Sequence, residues 1–215
     1  MGQQITSNLQ GITIGSNYTE GNSIIDYFNH SMEENVKHNN NKTIFLSYNW
    51  HDRQIADRID KHLSTLSNIT VKRDIHDIGT WKSIREFMKS IRNQDYAVLI
   101  VSDYYLKSKN CMFEVTEIMK EQEYKDRIFS VVVEHGIYDS LKHVEYIKYW
   151  QQECDKLEAA IKELNLENAT EQIITLKNYK SIAFSIGEFL SVVANKNNPD
   201  IQEIEIQIEK AILEN

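Results

Sequence analysis

The chain has 215 residues, with 24 Lys and Arg against 32 Asp and Glu, for a formal charge of −8. Apolar residues make up 41% and charged residues 26%, enough for a packed core and against global disorder. The acidic balance disfavours nucleic acid or an anionic membrane as the main partner, and one Pro with seven Gly disfavours a sandwich or barrel of many short strands.

Residues 1–41 are polar, punctuated by Gly11, Gly15 and Gly21, and end in Asn39-Asn40-Asn41. They read as an N-terminal arm, partly disordered or holding one short helix from about Ser23 to Val36, with Ile24, Ile25, Phe28 and Met32 on one face. Such an arm either stays mobile or docks on the domain or a partner. Met1-Gly2-Gln3-Gln4-Ile5-Thr6 matches the short N-myristoylation pattern, and no basic stretch followed by an apolar run marks a secretory leader. No segment comes near the roughly 18 consecutive apolar residues of a membrane-spanning helix. Cys111 and Cys154 make neither a disulfide framework nor a zinc set, which suits a reducing cytosol.

Order is expected from Lys42. Thr43 to Tyr48 is an apolar run with the look of a buried strand, and Ile55, Ile59, Leu63 and Leu66 recur at helical spacing over about 52–66. Ile69 to Arg73 reads as a second strand and Asp74 to Gly79 as a loop. Thr80 is placed to cap a helix with Ile84, Phe87, Met88 and Ile91 on one face. Tyr96 to Val101 is the strongest strand, Ser108 to Glu123 is helical, and Ile128 to Val133 is a fourth strand.

After Val133 the spacing predicts a long helix over Leu141 to Leu164, an edge strand over Gln172 to Leu176, and a helix over Ser181 to Val193. Asn198-Pro199 offers a cap and a first-turn Pro for a last helix carrying Ile201, Ile204, Ile208 and Ile212, although Ile204, Ile206 and Ile208 also permit a strand. The predicted fold is α/β: a flavodoxin-like, doubly wound, parallel five-stranded sheet with helices on both faces and extra C-terminal helices. Its domain spans 42–195 with a helical insertion at about 138–165, and 196–215 forms a C-terminal amphipathic helix.

Doubly wound sheets bind ligands at the carboxyl ends of their strands. Those ends carry Ser47, Tyr48, Asn49, Trp50, His51 and Asp52 after the first strand, and Asp74 to Trp81 after the second. Ser102 to Tyr105 follow the third and lead to Cys111 and Glu114. Neither GxGxxG nor a Walker A sequence is present, so ordinary dinucleotide or triphosphate loops are absent. His51, His76 and His135 are isolated, which leaves no metal-ligand spacing, and Ser47 is not in a nucleophile elbow.

Three segments carry a resemblance. KTIFLSYNWHD at 42–52 resembles the first signature box of Toll/interleukin-1 receptor (TIR) domains, VKRDIHDIG at 71–79 the second, and SKNCMFE at 108–114 the segment holding the catalytic glutamate of enzymatic TIR domains. Many such enzymes cleave the nicotinamide–ribose bond of NAD+, releasing nicotinamide and ADP-ribose or a cyclic or conjugated ADP-ribose. In bacteria they often serve cytoplasmic defence against phage. The Asn- and Ile-rich, nearly Pro-free composition reads as an AT-rich bacterial genome.

The resemblance implies that NAD+ is a substrate rather than a cofactor, that no metal is used, and that Glu114 is catalytic. Ser47 and Tyr48 would lie beside the nicotinamide end, Trp50 and Trp81 would stack on a ring of the dinucleotide, and Asp74 would lie near the ligand. Arg73 could pair with Asp74 or meet phosphate. Asn110 and Cys111 complete the glutamate segment. Asn110 stands where many bacterial relatives carry Trp, a stacking surface that Trp50, Trp81 or Tyr105 would have to replace. Implied partners are further copies, through TIR–TIR contacts, and a separate effector or sensor protein. The Asp74–Gly79 loop lacks the Pro common in receptor adaptors, yet a non-enzymatic TIR scaffold is the alternative. A transferase acting on free nucleosides is a third reading.

Overall fold

In the computed structural model, residues 41–73 and 83–214 are described. The N-terminal arm, the Asp74–Gly79 loop, Thr80 and Trp81 lie outside the described residues.

Four parallel strands form one sheet in the order β2-β1-β3-β4: β1 Lys42–Ser47, β2 Ile69–Lys72, β3 Tyr96–Val101 and β4 Ile128–Val132. Every residue of β3 is buried, because a central parallel strand is covered on both faces. Alternation along the strands divides the core. Phe45, Ala97, Leu99 and Val101 face one side, and Ile44, Leu46, Val98 and Ile100 face the other.

The helices supply the covering layers. In chain order they are α1 Arg53–Leu63, α2 Ile84–Lys89, α3 Asp103–Leu106, α4 Lys109–Ile118, α5 Tyr124–Arg127, α6 Ser140–Lys162, α7 Thr170–Ala194 and α8 Ile204–Glu214. Helices α4, α6 and α7 cover the first side through Met112, Val115, Trp150, Ile186 and Phe189. Helices α1 and α8 cover the second through Ile59, Leu63, Ile204, Ile208 and Ile212. Arg58 fastens this pair, donating to Glu205 at 2.7 Å and to the Ile201 carbonyl at 3.0 Å, while His62 meets Glu209 at 2.7 Å.

The architecture corrects several sequence expectations. Among the described residues there is no fifth strand: Gln172 to Leu176 lies inside α7 and continues into Ser181 to Val193 as one helix. The β-branched run Ile173-Ile174-Thr175 favours a strand locally, but Ile182, Ile186, Phe189 and Val193 recur at helical spacing and pack the helix onto the core. The last helix does not start at Asn198-Pro199. Asp200 caps a 3-10 turn at Ile201–Glu203 that leads into α8. The Asn198 amide instead donates to the carbonyls of Val193 and Lys196, at 2.8 and 3.2 Å, closing the end of α7. Ile206 is exposed on α8, so the alternation of Ile204, Ile206 and Ile208 does not mark a strand. The short helices α3 and α5 lack periodicity and were not expected. Ser102 makes α3 possible by accepting from the Tyr105 N–H at 3.1 Å. No helix of the described residues is long and apolar enough to cross a membrane.

Trp150 joins the α6–α7 pair to the sheet layer. It is 1% exposed, donates from Nε1 to the Leu106 carbonyl at 2.8 Å, and packs edge-on against Tyr149 and Tyr179 with centroids 5.4 Å apart in both pairs. Trp150→Ala is expected to cost about 3–5 kcal/mol of unfolding free energy. Trp150→Phe, which mainly orphans the Leu106 carbonyl, is expected to cost about 1–3 kcal/mol. Urea denaturation followed by circular dichroism measures both.

Candidate active site

Strand order reverses between β1 and β3, so their carboxyl ends open a crevice. The chain leaves β1 at Ser47 and turns through Tyr48 and Asn49 into a 3-10 turn at Trp50–Asp52. The Asn49 side chain starts that turn by accepting from the His51 N–H at 3.1 Å, and it donates to the Tyr104 carbonyl at 3.1 Å. His51 stacks on Tyr104 with centroids 3.9 Å apart. Below them Ser102 Oγ donates to Asp52 Oδ2 at 2.6 Å, tying the end of β1 to the end of β3. Burial raises the Asp52 carboxyl above its ordinary range, with Ser102 and His51 opposing the shift.

Ser108 caps α4, accepting from the Cys111 N–H at 3.4 Å. This sets Cys111 and Glu114, three residues apart, on the same inward face. Glu114 is 8% exposed. Ser47 Oγ donates to Glu114 Oε2 at 2.5 Å and lies 2.8 Å from the Tyr105 hydroxyl. Ser47 has one proton to give, so Tyr105 is the donor to Ser47, and a chain runs Tyr105 to Ser47 to Glu114. Burial, with Glu114 close by, holds the Tyr105 hydroxyl well above its usual value and keeps it a donor. Cys111 Sγ donates to the Tyr48 carbonyl at 3.5 Å. Burial and Glu114 push its thiol up, so it is an inert packing group rather than a nucleophile.

Glu114 and Cys111 lie on the wall of a cavity of about 540 Å³, a size suited to a small organic ligand. Tyr48, Asn49 and Trp50 enter from the β1 end, with Ser108, Asn110, Cys111 and Glu114 from α4. Ile84, Phe87 and Met88 of α2 complete the apolar wall. Of the sequence-derived candidates, Tyr48, Trp50, Asn110, Cys111 and Glu114 are therefore brought together, and Ser47 joins them by its hydrogen bond to Glu114. Asp74 and Trp81 lie outside the described residues.

Each aromatic occupies a different setting. Trp50 is 60% exposed at the mouth, with Arg53 5.8 Å from its ring centroid, and has surface to offer a ligand. Tyr48 is held by Arg73, whose guanidinium lies 4.9 Å from the ring centroid and donates to the hydroxyl at 2.8 Å. Tyr105 is fully buried and cannot supply the stacking surface expected of it. Arg73 corrects a second expectation. It is 1% exposed and pairs with Asp57 and Asp60 at 2.9 Å each, so it does not present its charge to a phosphate in solution.

Sequence reasoning placed Ile84, Phe87 and Met88 on an inward helix face but not at a ligand cavity. Their spacing is the same for both roles, and only the exposure of Ile84 tells them apart. The Asp52–Ser102 tie was also missed, since its two residues lie 50 positions apart in the chain. Among the described residues no group of three or more His, Cys, Asp or Glu side chains could hold a metal ion.

A parallel sheet flanked by helices, with a carboxylate-bearing cavity at the carboxyl ends of its strands, defines an α/β domain whose candidate site lies where such sheets offer one. Residues 44–164, more than half of the chain, match the TIR domain family, and the chain belongs to that family. No curated protein and no solved structure matches it.

The buried, raised thiol at position 111 has a measurable consequence. Iodoacetamide at about pH 7.5 is expected to leave Cys111 unmodified in the native protein and to label it only after unfolding, as read by intact-mass and peptide mapping. Rapid native labelling of Cys111 would contradict the closed packing around Glu114.

Proposed function

We propose that this TIR protein is an NAD+ glycohydrolase or cyclase that breaks the nicotinamide–ribose bond. The observation that carries the reading is a buried carboxylate, Glu114, on the wall of a largely apolar cavity with an exposed Trp at its mouth. When the C1′–N bond breaks, its electron pair moves to the pyridinium nitrogen and nicotinamide leaves neutral. Positive charge remains on the ribose ring, as in glycoside cleavage. A fixed carboxylate in a water-poor site stabilises that charge, and the same carboxylate can hold the ribose hydroxyls. Water then adds at C1′ and releases a proton to give ADP-ribose, or a nucleophile of the substrate itself adds to give a cyclic product.

In this reading Ser47 fixes the Glu114 rotamer. Tyr48 and Cys111 shape the nicotinamide end, Asn110 lines the cavity on the ribose side, and Trp50 stacks on a planar ring. Asp74 is assigned to the same ligand through its place in the second signature box, and Trp81 through its place two residues after Gly79. NAD+ is consumed, so no cofactor is needed. The TIR domain is assigned to 42–195, with α8 following it in the segment 196–215. Flavodoxin-like topology, a cytoplasmic location, TIR–TIR self-association, a separate effector or sensor protein and a role in bacterial immunity to phage follow from the family resemblance.

One observation favours the scaffold alternative: Glu114 already has a hydrogen-bond partner within the domain, so its carboxylate could be structural. The two readings part on Glu114→Gln, which keeps the shape and an acceptor for Ser47 while removing the charge. The glycohydrolase reading expects nicotinamide release, followed by liquid chromatography, to fall at least about 100-fold with the thermal midpoint little changed. Full activity in Glu114→Gln would overturn it. Glu114→Ala is expected to lose activity as well, and also about 1–3 kcal/mol of stability, because the hydroxyl of Ser47 then lacks an acceptor.

A further inference from the structure

A second cavity, of about 160 Å³, opens where α2, α4 and α7 meet, and Met88 and Asn110 line both it and the Glu114 cavity. We infer that this second cavity is a subsite for the diphosphate of the dinucleotide whose glycosidic bond lies at Glu114. The inference rests on the NAD+-cleaving reading for its substrate and on the following observations for its chemistry.

The polar lining is Arg85, Lys109, Asn110, Thr175, Asn178 and Tyr179. Every one of these side chains can donate a hydrogen bond. No Asp or Glu of the described residues lines the cavity, although the chain as a whole carries −8. Arg85 and Lys109 enter no ion pair among the described residues, unlike Arg53, which meets Asp57, and Lys107, which meets Asp103. Two uncommitted cations amid neutral donors form an anion site.

Its position fits one end of the proposed substrate. Lys109 and Asn110 stand in the first turn of α4, where the helix dipole favours an anion. Glu114 lies one turn further along the same helix, about 6 Å in axial rise from Asn110. That separation matches the reach from the anomeric carbon of a ribose to its 5′-phosphate. The volume suits a diphosphate and falls well short of a pocket for a second nucleoside. Asn110, short and polar, stands between the two compartments. Thr175, Asn178 and Tyr179 come from α7, beyond the stretch matched to the TIR family, so half of the donor set belongs to this chain's own C-terminal helices.

Isothermal titration of the full chain with inorganic pyrophosphate tests the site without any need for turnover. Binding to the wild type that weakens about tenfold or more in Arg85→Ala/Lys109→Ala is the expected result. No binding to the wild type, or equal binding to the double variant, overturns the inference. Kinetics then identify the source of the diphosphate. The preference for NAD+ over nicotinamide riboside, as a ratio of kcat/KM values, is expected to fall about tenfold in the double variant, through the KM for NAD+. An unchanged ratio, with pyrophosphate binding lost, means that the cavity serves a separate anion and overturns the assignment to substrate. Pyrophosphate binding with no NAD+ cleavage by the wild type overturns both that assignment and the glycohydrolase reading.

Discussion

Burying a carboxylate is costly unless hydrogen bonds replace its water, and at the end of β1 the Ser47 hydroxyl supplies one of them to Glu114. The contact joins β1 to α4, and the Tyr105 hydroxyl behind it brings in α3. The end of β1 and two successive helices, with Tyr105 and Glu114 lying 58 and 67 residues beyond Ser47, are thereby placed around one oxygen atom. Neighbouring contacts hold the same corner: Ser102 on Asp52, Cys111 on the Tyr48 carbonyl, and Arg73 on the Tyr48 hydroxyl. A charge held in this way has few rotamers to visit, which is the condition under which it can stabilise a developing cation without reorganising. The apolar wall from α2 supports the same end by keeping water away from the carboxylate.

The distribution of charge gives the crevice its polarity. Away from the crevice, Glu205 and Glu209 of α8 are paired with Arg58 and His62 of α1. Several cations near the crevice are also committed. Arg73 is buried against Asp57 and Asp60, Arg53 meets Asp57, and Lys107 meets Asp103. Lys109 and Arg85 differ in lining a cavity that no carboxylate of the described residues shares. An acidic protein can therefore offer an anion a local positive field beside its own buried carboxylate.

The sheet was readable because central parallel strands are continuous apolar runs. Tyr96 to Val101 could hardly be anything else, and the observed strand has the same bounds. Glu114 was singled out through the resemblance of SKNCMFE to the glutamate segment of TIR domains, and the Ser108 cap that begins α4 emerged only from the structure. Three features were not readable, for different reasons. Ile173-Ile174-Thr175 looks like a strand locally, and only packing against the core makes it helix. Arg73 looks like a surface cation because sequence does not show that Asp57 and Asp60, one helix away, converge on it. Tyr105 looks like a candidate stacking aromatic, whereas its place under Ser47 depends on a four-residue helix with no periodicity. In each case the deciding partner is remote in the chain, and residue spacing carries no record of it.

The central claim is that the Glu114 crevice breaks the nicotinamide–ribose bond. Incubating the concentrated wild-type chain with NAD+ and resolving the products by mass tests it most directly, since concentration allows any assembly the site needs. The account predicts nicotinamide in equimolar amount with ADP-ribose or a cyclic or conjugated isomer. NAD+ recovered intact at concentrations where the chain self-associates would contradict it.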